Sequence, residues 1–295
     1  MAAGVPHPIP YQGSKRRLAP LILEHAPARV ETLFEPFAGS GALTLAAASR
    51  GLARRHVLGD SLAPLARLWG AILERPGELA DEYAALWEAQ GDDPARQYAR
   101  VRDAFNAEGG AARLLFLLAR CVKNAVRFNA AGAFNQSADR RRRGTRPERM
   151  RARIEGAHRL LAGRAEAHAA DFEALLERAS PRDLVYLDPP WEGTTRGADK
   201  RYHQGLARER FVAVLERLRR RGVPFLVSYD GRSGARSYGA ALPAELGLAR
   251  VELHAGRSSQ ATLNGGRAET IESLYVSPEL ARDGLKLRRS VSELR

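Results

Sequence analysis

Residues 31–60 read ETLFEPFAGSGALTLAAASRGLARRHVLGD, and the order of residue types in this stretch decides the fold. Glu31–Phe34 is a short β-like run, closed by Pro36 and the Gly39-Ser40-Gly41 turn. Ala42–Ser49 is a small-residue helix, and His56–Leu58 leads a second strand into Gly59-Asp60. Strand, glycine turn, helix, strand and acid, in that order, make a nucleotide-binding βαβ unit. Glycines at such a turn let the backbone approach a ligand, and the helix behind it offers unpaired N–H groups. Thr44 occupies the place of the third small residue of a dinucleotide fingerprint, which argues against a dinucleotide cofactor. Asp60 ends the second strand, where an acid accepts hydrogen bonds from ribose hydroxyls. Capping the next helix together with Ser61 is its alternative use.

Outward from this unit, Leu18–His25 reads as a short helix on the N-terminal side. On the other side the pattern changes. Leu62–Glu74, Glu78–Gln90, Pro94–Asn106 and Ala111–Phe128 carry apolar residues at three- and four-residue spacing and predict four helices. Gly132–Arg153 is polar and very basic, and a further helix spans about Met150–Leu161. Strand–helix alternation returns after Ala165. Asp183–Leu187 is a continuous apolar strand, Arg208–Arg221 a helix and Val223–Tyr229 a buried strand. Ala249–Ala255 and Thr270–Val276 read as two more strands, the latter with period-two character. The simplest account is one α/β domain built from both ends of the chain, residues 1–68 and 162–295. A mostly helical insert, residues 69–161, lies between them.

The whole sequence has 295 residues, 44% hydrophobic and 27% charged, a composition that supports a sizeable core. Its 47 Lys and Arg against 34 Asp and Glu leave a net charge of +13, which points to a polyanionic partner such as nucleic acid. A lone cysteine, Cys121, excludes an internal disulfide framework and a Cys-rich zinc module. The seven histidines show no ligand spacing, so no metal site is expected. No apolar run approaches the ~20 residues of a membrane span. Met1–Pro10 lacks the apolar stretch of a signal peptide. A soluble cytoplasmic protein is the expectation.

Asp188-Pro189-Pro190-Trp191 is the most informative tetrapeptide. A central strand cannot continue through two prolines, so the chain turns out at the carboxyl edge of the sheet, where ligands of open α/β sheets bind. The prolines carry no N–H and leave backbone carbonyls free to accept hydrogen bonds. A carboxylate, free carbonyls and a following aromatic suit a planar amine: two acceptors for an NH₂ group and a ring to stack on.

With these motifs in hand, the chain resembles the Dam-type (D12 class) DNA adenine-N6 methyltransferases. The likeness runs from about Pro8 to Pro278. Its segments fall in family order: Tyr11–Lys15, Phe34–Gly41, Gly59-Asp60, Phe128-Asn129 with Gly132–Asn135, Asp171-Phe172, Asp188–Trp191, Ser228–Asp230 and a tail region Gly256–Tyr275. Trp191 departs from the tyrosine or phenylalanine usual in the family.

The resemblance implies a Rossmann-like methyltransferase sheet with helices on both faces, plus an inserted helical target-recognition domain. It implies S-adenosyl-L-methionine as cofactor, double-stranded DNA as substrate and a monomeric state; partnership with a separately acting restriction endonuclease, a phage role and an orphan regulator are its alternative settings. It places Tyr11 and Lys15 at the methionine end of the cofactor, Lys15 facing its carboxylate. Phe34, Glu35, Pro36, Ala38, Gly39 and Gly41 belong to the cofactor turn. Asp60 is assigned to the ribose, and Asp171 with Phe172 to the adenine. Asp188 and the Pro189 carbonyl would receive the target amine, with Pro190 stiffening the turn and Trp191 stacking on the flipped base.

Asp139–Arg153, DRRRRGTRPERMRAR, holds eight arginines and two acids. Arginine forks suit phosphates and guanine edges, so Arg140, Arg141, Arg142, Arg143 and Arg146, with Asn129, Asn135 and Gln136 nearby, are the candidate DNA contacts. A solvated charge run partly neutralised by Asp139 and Glu148 is the plainer alternative. Three rivals stand beside adenine N6: cytosine N4, disfavoured because that pattern usually opens with serine; an RNA amine, against which the large insert argues; and a catalytically idle DNA-binding protein. Cytosine C5 is disfavoured, because Cys121 lies in an apolar helix and reads as a buried thiol.

Overall fold

A computed structural model of the chain describes residues 4–190, 206–233, 236–257 and 269–282. Eight strands form one sheet. In chain order they are β1 (Val30–Glu35), β2 (Ala53–Asp60), β3 (Ala165–Ala169), β4 (Leu184–Leu187), β5 (Phe225–Ser233), β6 (Arg236–Tyr238), β7 (Ala249–Arg257) and β8 (Glu269–Val276). Their spatial order is β3-β2-β1-β4-β5-β8-β7, with β6 paired to β5. The first five strands of that path run parallel, while β8 is antiparallel to both β5 and β7. The chain builds outward from β1 to β3, then returns to lay β4 on the other flank of β1. The reversal between β1 and β4 opens a crevice at their carboxyl ends, the topological switch point of a Rossmann-like sheet.

Each central strand feeds two cores, as a period of two requires. Leu184 and Tyr186 of β4 pack with α1 (Ala19–Ile22) and α2 (Ala42–Ser49). Val185 and Leu187 pack with α8 (Phe172–Leu176) and α9 (Arg208–Arg220) on the other face. All four residues of β4 are buried, which is why this strand reads as an unbroken apolar run.

Residues 62–161 fold as five helices: α3 (Ala63–Glu74), α4 (Pro76–Glu88), α5 (Pro94–Glu108), α6 (Ala111–Arg120) and α7 (Pro147–Leu161). Their core is continuous with the sheet, since Leu58 of β2 packs in the same cluster as Trp69, Tyr83, Phe116 and Leu161. A last short helix, α10, spans Pro278–Arg282. Among the described residues no helix is long and apolar enough to cross a membrane.

Two helix expectations need correction. Leu18–His25 is α1 flanked by single 3₁₀ turns at Lys15–Arg17 and Leu23–His25. The helix expected to reach Phe128 stops at Arg120, because Cys121 turns extended (ψ 159°) and Asn124 donates to the Leu118 carbonyl at 2.7 Å. Lys123 and Asn124 then adopt positive φ. The apolar spacing beyond Arg120 serves a different structure: Phe128 bridges Phe134 and both pack on Phe105. Cys121 is buried behind this turn, and burial, opposed by the neighbouring Arg142, pushes its thiol up to about 12.

Candidate active site at the carboxyl edge of the sheet

The β1–α2 turn is built from backbone. Ala38 donates to the Gly59 carbonyl at 2.7 Å and Gly41 to the Ala38 carbonyl at 2.6 Å. Gly39 and Gly41 adopt φ of +48° and +57°, which side-chain-bearing residues rarely take. Close approach fixes the second glycine further: a Cβ there would overlap Cζ2 of Trp69 and sit 2.9 Å from its Cη2. The Trp69 indole N–H donates to the Gly39 carbonyl at 3.0 Å, so α3 buttresses the turn from behind. Tyr11 lies against Gly39 in front, and Ser14 and Ser40 share a hydroxyl hydrogen bond at 2.7 Å.

Glu35, at the end of β1, is buried and accepts from the Thr44 N–H at 2.9 Å, which anchors the start of α2. Burial raises its pKa to about 7, against the pull of Thr44. Phe34, one position earlier, points to the opposite face and packs with Phe172 and Val185. Asp60, at the end of β2, accepts from the Gly39 N–H at 3.1 Å and the Leu62 N–H at 2.9 Å. It thus stitches the turn to the entry of α3. Burial lifts its pKa to about 6, while the two N–H donors oppose the shift. Each of its oxygens has accepted one bond and keeps a lone pair for a hydroxyl.

Asp171 caps α8 by accepting from the Glu173 N–H at 3.0 Å, and it pairs with Arg210 at 2.7 Å. That guanidinium lies over the Phe172 ring at 5.1 Å, and Phe37 packs on the same ring at 5.2 Å. Phe37 sits in the β1–α2 turn, so Asp171 and Phe172 border the same crevice as Gly39 and Asp60.

Beyond β4, Asp188 sits half-sheltered, Pro189 is buried and Pro190 exposed. Trp191 lies outside the described residues. Oδ1 of Asp188 is 2.9 Å from Nζ of Lys15, and Lys15 also reaches Oε2 of Glu272 at 3.4 Å. The family resemblance points Lys15 toward the cofactor carboxylate; its ammonium lies between these two acids. Burial works against the lysine's charge, but the two carboxylates outweigh it and push its pKa up. Burial raises the pKa of Asp188, and Lys15 opposes that rise. Beneath it, the Tyr186 hydroxyl shares a hydrogen bond with Ser228 at 3.0 Å. A half-sheltered, lysine-paired acceptor therefore stands at the end of β4, beside the glycine turn at the end of β1.

The candidate DNA residues divide. Asn129 closes its own turn, its side chain accepting from the Ala131 and Ala133 N–H groups. The Asn135 N–H donates to the Arg127 carbonyl at 3.0 Å, leaving its side chain exposed, and the Gln136 amide donates to the Val122 carbonyl at 3.0 Å. In the arginine run, Arg142 pairs with Asp139 at 2.9 Å and donates to the Cys121 carbonyl at 2.9 Å. Arg143 donates to the Gly91 carbonyl and lies over Trp87. Arg140, Arg141 and Arg146 are exposed, with Arg141 only 3.7 Å from Asp139. Arg142 and Arg143 are thus tethers, and Arg140, Arg141 and Arg146 are open cations. Among the described residues, no group of His, Cys, Asp or Glu side chains could hold a metal ion.

Sequence reasoning missed Glu272, Arg210 and the Trp69 buttress. Glu272 carried a readable signal, an acid on the apolar face of the alternating strand Thr270–Val276. Arg210 and Trp69 gave none, because only the fold brings them to the turn.

Known proteins show the same likeness. The chain is 28% identical over 217 residues to a DNA N-6-adenine-methyltransferase of Escherichia phage P1, covering 69% of this chain and 27% of that protein. It is 27% identical to the retron Ec67 DNA adenine methylase of Escherichia coli over 77% of this chain and 78% of the relative. It is 25% identical to the type II methyltransferase M1.LlaDCHI of Lactococcus lactis subsp. cremoris over 61% of this chain and 64% of the relative. The chain thus spans about a quarter of the phage relative and under two thirds of the lactococcal one. Residues 11–253, which hold the glycine turn, Asp60, Asp171 and the Asp188 turn, match one family. By that match the chain belongs to the D12 class N6 adenine-specific DNA methyltransferases.

Proposed function

We propose that the protein methylates adenine N6 at a specific site in double-stranded DNA, with S-adenosyl-L-methionine as methyl donor. The observation that carries the reading is the pairing of Asp188 with the glycine turn across adjacent strands, an amine acceptor beside a nucleotide cradle. Family membership and relatives named as adenine methylases support it.

The crevice fits the cofactor. Backbone at Gly39 and Gly41 carries no side chain, Phe37 and Phe172 supply an apolar wall, and Asp60 keeps acceptor capacity for ribose hydroxyls. Tyr11, Lys15, Phe34, Glu35, Pro36 and Ala38 complete its lining, with Asp171 at the adenine end. When bound, the cofactor supplies an electrophilic methyl group on a sulfonium.

The chain's own residues prepare the nucleophile. An exocyclic amine delocalises its lone pair into the ring and is a poor nucleophile in that plane. Asp188 accepts a hydrogen bond from one N–H of the target amine, and the Pro189 carbonyl accepts from the other. The nitrogen then pyramidalises and its lone pair withdraws from conjugation with the ring, and the N–H proton displaced on methylation leaves by way of the Asp188 carboxylate. Alignment supplies most of the rate, without a covalent enzyme intermediate. Pro190 stiffens the turn, and Trp191 stacks on the base after extrusion from the duplex, which costs a few kcal/mol.

Residues 1–68 and 162–295 form the catalytic domain in this reading, and residues 69–161 recognise the target. Arg140, Arg141 and Arg146 hold phosphates, with Asn135 and Gln136 nearest the bases. The type II relative supports a restriction–modification setting; in this reading a separate endonuclease is the partner and the cytoplasm the compartment. The enzyme acts as a monomer without metal.

The test is a tritium-transfer assay on duplex DNA, followed by nucleoside analysis. N6-methyladenine is the expected product. N4-methylcytosine, or methylated RNA alone, would overturn the reading, and long-read sequencing of host DNA would give the site.

A further inference from the structure

On β8, Leu274 and Val276 face the core beneath α1 and α2, and the period of two places Glu272 on that same face. A carboxylate there needs a cation, and it has Lys15 at 3.4 Å. The pairing of β5 with β8 explains how this came about. Ser228 stands opposite Leu274, so an unbroken register would set Asp230 opposite Glu272, two acids side by side. The register shifts between Ser228 and Gly231, and Gly231 takes the place opposite Glu272. Asp230 turns away to Arg250 at 2.9 Å. The bulge thereby leaves the ground around Glu272 to Lys15.

The result is one ammonium between two carboxylates, with Asp188 at 2.9 Å. Lys15 and Glu272 are both largely sheltered from solvent, with side-chain exposures of 10% and 15%. Unpairing a buried charge is costly, so a lysine with Asp188 as its single anion would hold that carboxylate fast. With a second anion alongside, the ammonium can move toward Glu272 and stay paired.

We propose that Glu272 is a positioning residue for Asp188: it is the second counter-ion of Lys15 and holds the ammonium when the target amine takes up Asp188. The Asp188 carboxylate then keeps both its charge and its orientation toward the amine. This rests on the reading of Asp188 as the amine's acceptor. Among the described residues, the charged and titratable groups facing Asp188 are Lys15 from the turn before α1, Glu35 from the end of β1, Tyr186 from β4 and Glu272 from β8. Of these, Glu272 shares its lysine directly. Removing its charge strengthens the lysine's hold on Asp188 and favours the ionised form of that acid.

The experiment uses the full chain with E272Q and E272D. Carbon-13 NMR titration, with the Asp188 carboxyl assigned through D188N, should place its midpoint lower in E272Q than in wild type. The acid limb of the kcat profile should move down with it. kcat should fall roughly ten- to hundredfold, with KM for DNA unchanged. E272D, which keeps the charge one methylene back, should recover part of the rate and part of the midpoint. If E272Q unfolds, E272D against wild type carries the same comparison with a smaller shift. An unchanged Asp188 midpoint overturns the proposal, as does loss of rate with an unmoved pH profile. A wild-type protein that methylates no DNA would sink the reading of the site, yet the carboxyl titration would still decide the role of Glu272.

Discussion

The indole ring of Trp69 fills the space that a side chain on Gly41 would need. A Cβ at Gly41 would sit 2.9 Å from Cη2 of that ring and overlap Cζ2, whereas one at Gly39 would meet the edge of Tyr11 at 3.3 Å. The two glycines of the turn are therefore not equivalent. Gly41→Ala should destabilise the fold by about 2–4 kcal/mol, from strained backbone plus overpacking. Gly39→Ala should cost less than half as much, because a tyrosine edge can shift. Urea unfolding of both variants checks the ranking, and equal losses would mean that Trp69 yields freely.

Asp188→Ala should lower methyl transfer by roughly a hundredfold or more while retaining cofactor binding. The lysine it abandons remains paired to Glu272, so the fold should survive. Calorimetric cofactor titration and a transfer assay measure the two halves separately. Turnover near wild type would remove Asp188 from the chemistry.

Asp60→Ala should weaken cofactor binding by ~1.5–3 kcal/mol, the value of hydrogen bonds to a charged acceptor. It also frees the Gly39 and Leu62 N–H groups, so a fall in thermal stability should accompany the loss. DNA affinity in a gel shift without cofactor should stay constant. A drop in stability with unchanged cofactor affinity would leave Asp60 as a stitch between turn and helix alone.

The arginine run predicts a split. Replacing Arg140 and Arg141 by Ser should reduce the slope of log K against log salt by about 0.9 for every DNA phosphate that is no longer neutralised. Arg142→Ser and Arg143→Ser should act on stability first, since those side chains tie the loop to the Cys121 and Gly91 carbonyls. Fluorescence anisotropy at several salt concentrations, paired with thermal melts, separates the classes. The same slope change from all four positions would contradict the division.

His56, fully buried on β2, has no hydrogen-bond partner at either ring nitrogen. Burial, aided by Arg164, lowers its pKa to about 4. A folded-state value below the unfolded one means that this stability is present above about pH 6.5 and lost as pH falls toward 4. The loss amounts to about 3 kcal/mol. His56→Phe keeps a ring of similar size without a proton site. Its advantage over wild type should grow steadily from pH 7 to pH 4, and a pH-independent difference would show that the imidazole titrates normally.

Where the sequence was legible, local chemistry and the fold agreed. Val30–Asp60 carries its strand, turn, helix and strand consecutively, each from its own residues. β4 announces itself because a strand buried on both faces has no polar alternation. β3, Ala-Glu-Ala-His-Ala, lies at the sheet edge with mostly half-buried residues and offers no such run. β6 is three residues long and exists through its pairing with β5. The overrun of α6 has the same origin: Phe128 obeys a helical spacing but answers to Phe105 and Phe134. In the site, Asp60 and Asp188 were readable from their places after strands. The Lys15–Glu272 pair joins residues far apart in the chain, and its one local mark is an acid on the apolar face of β8. Nor could the arginine run reveal that Arg142 and Arg143 are bound to carbonyls elsewhere.

The thiol of Cys121, buried and held far from ionisation, gives the protein a practical property. Thiolate is the species that reacts with maleimides and iodoacetamides, and at neutral pH this side chain supplies almost none. A cysteine introduced at Arg141 would then be the sole nucleophilic sulfur in the folded chain. A fluorophore attached there would report directly on the approach of the double helix, with the native sulfur left in place.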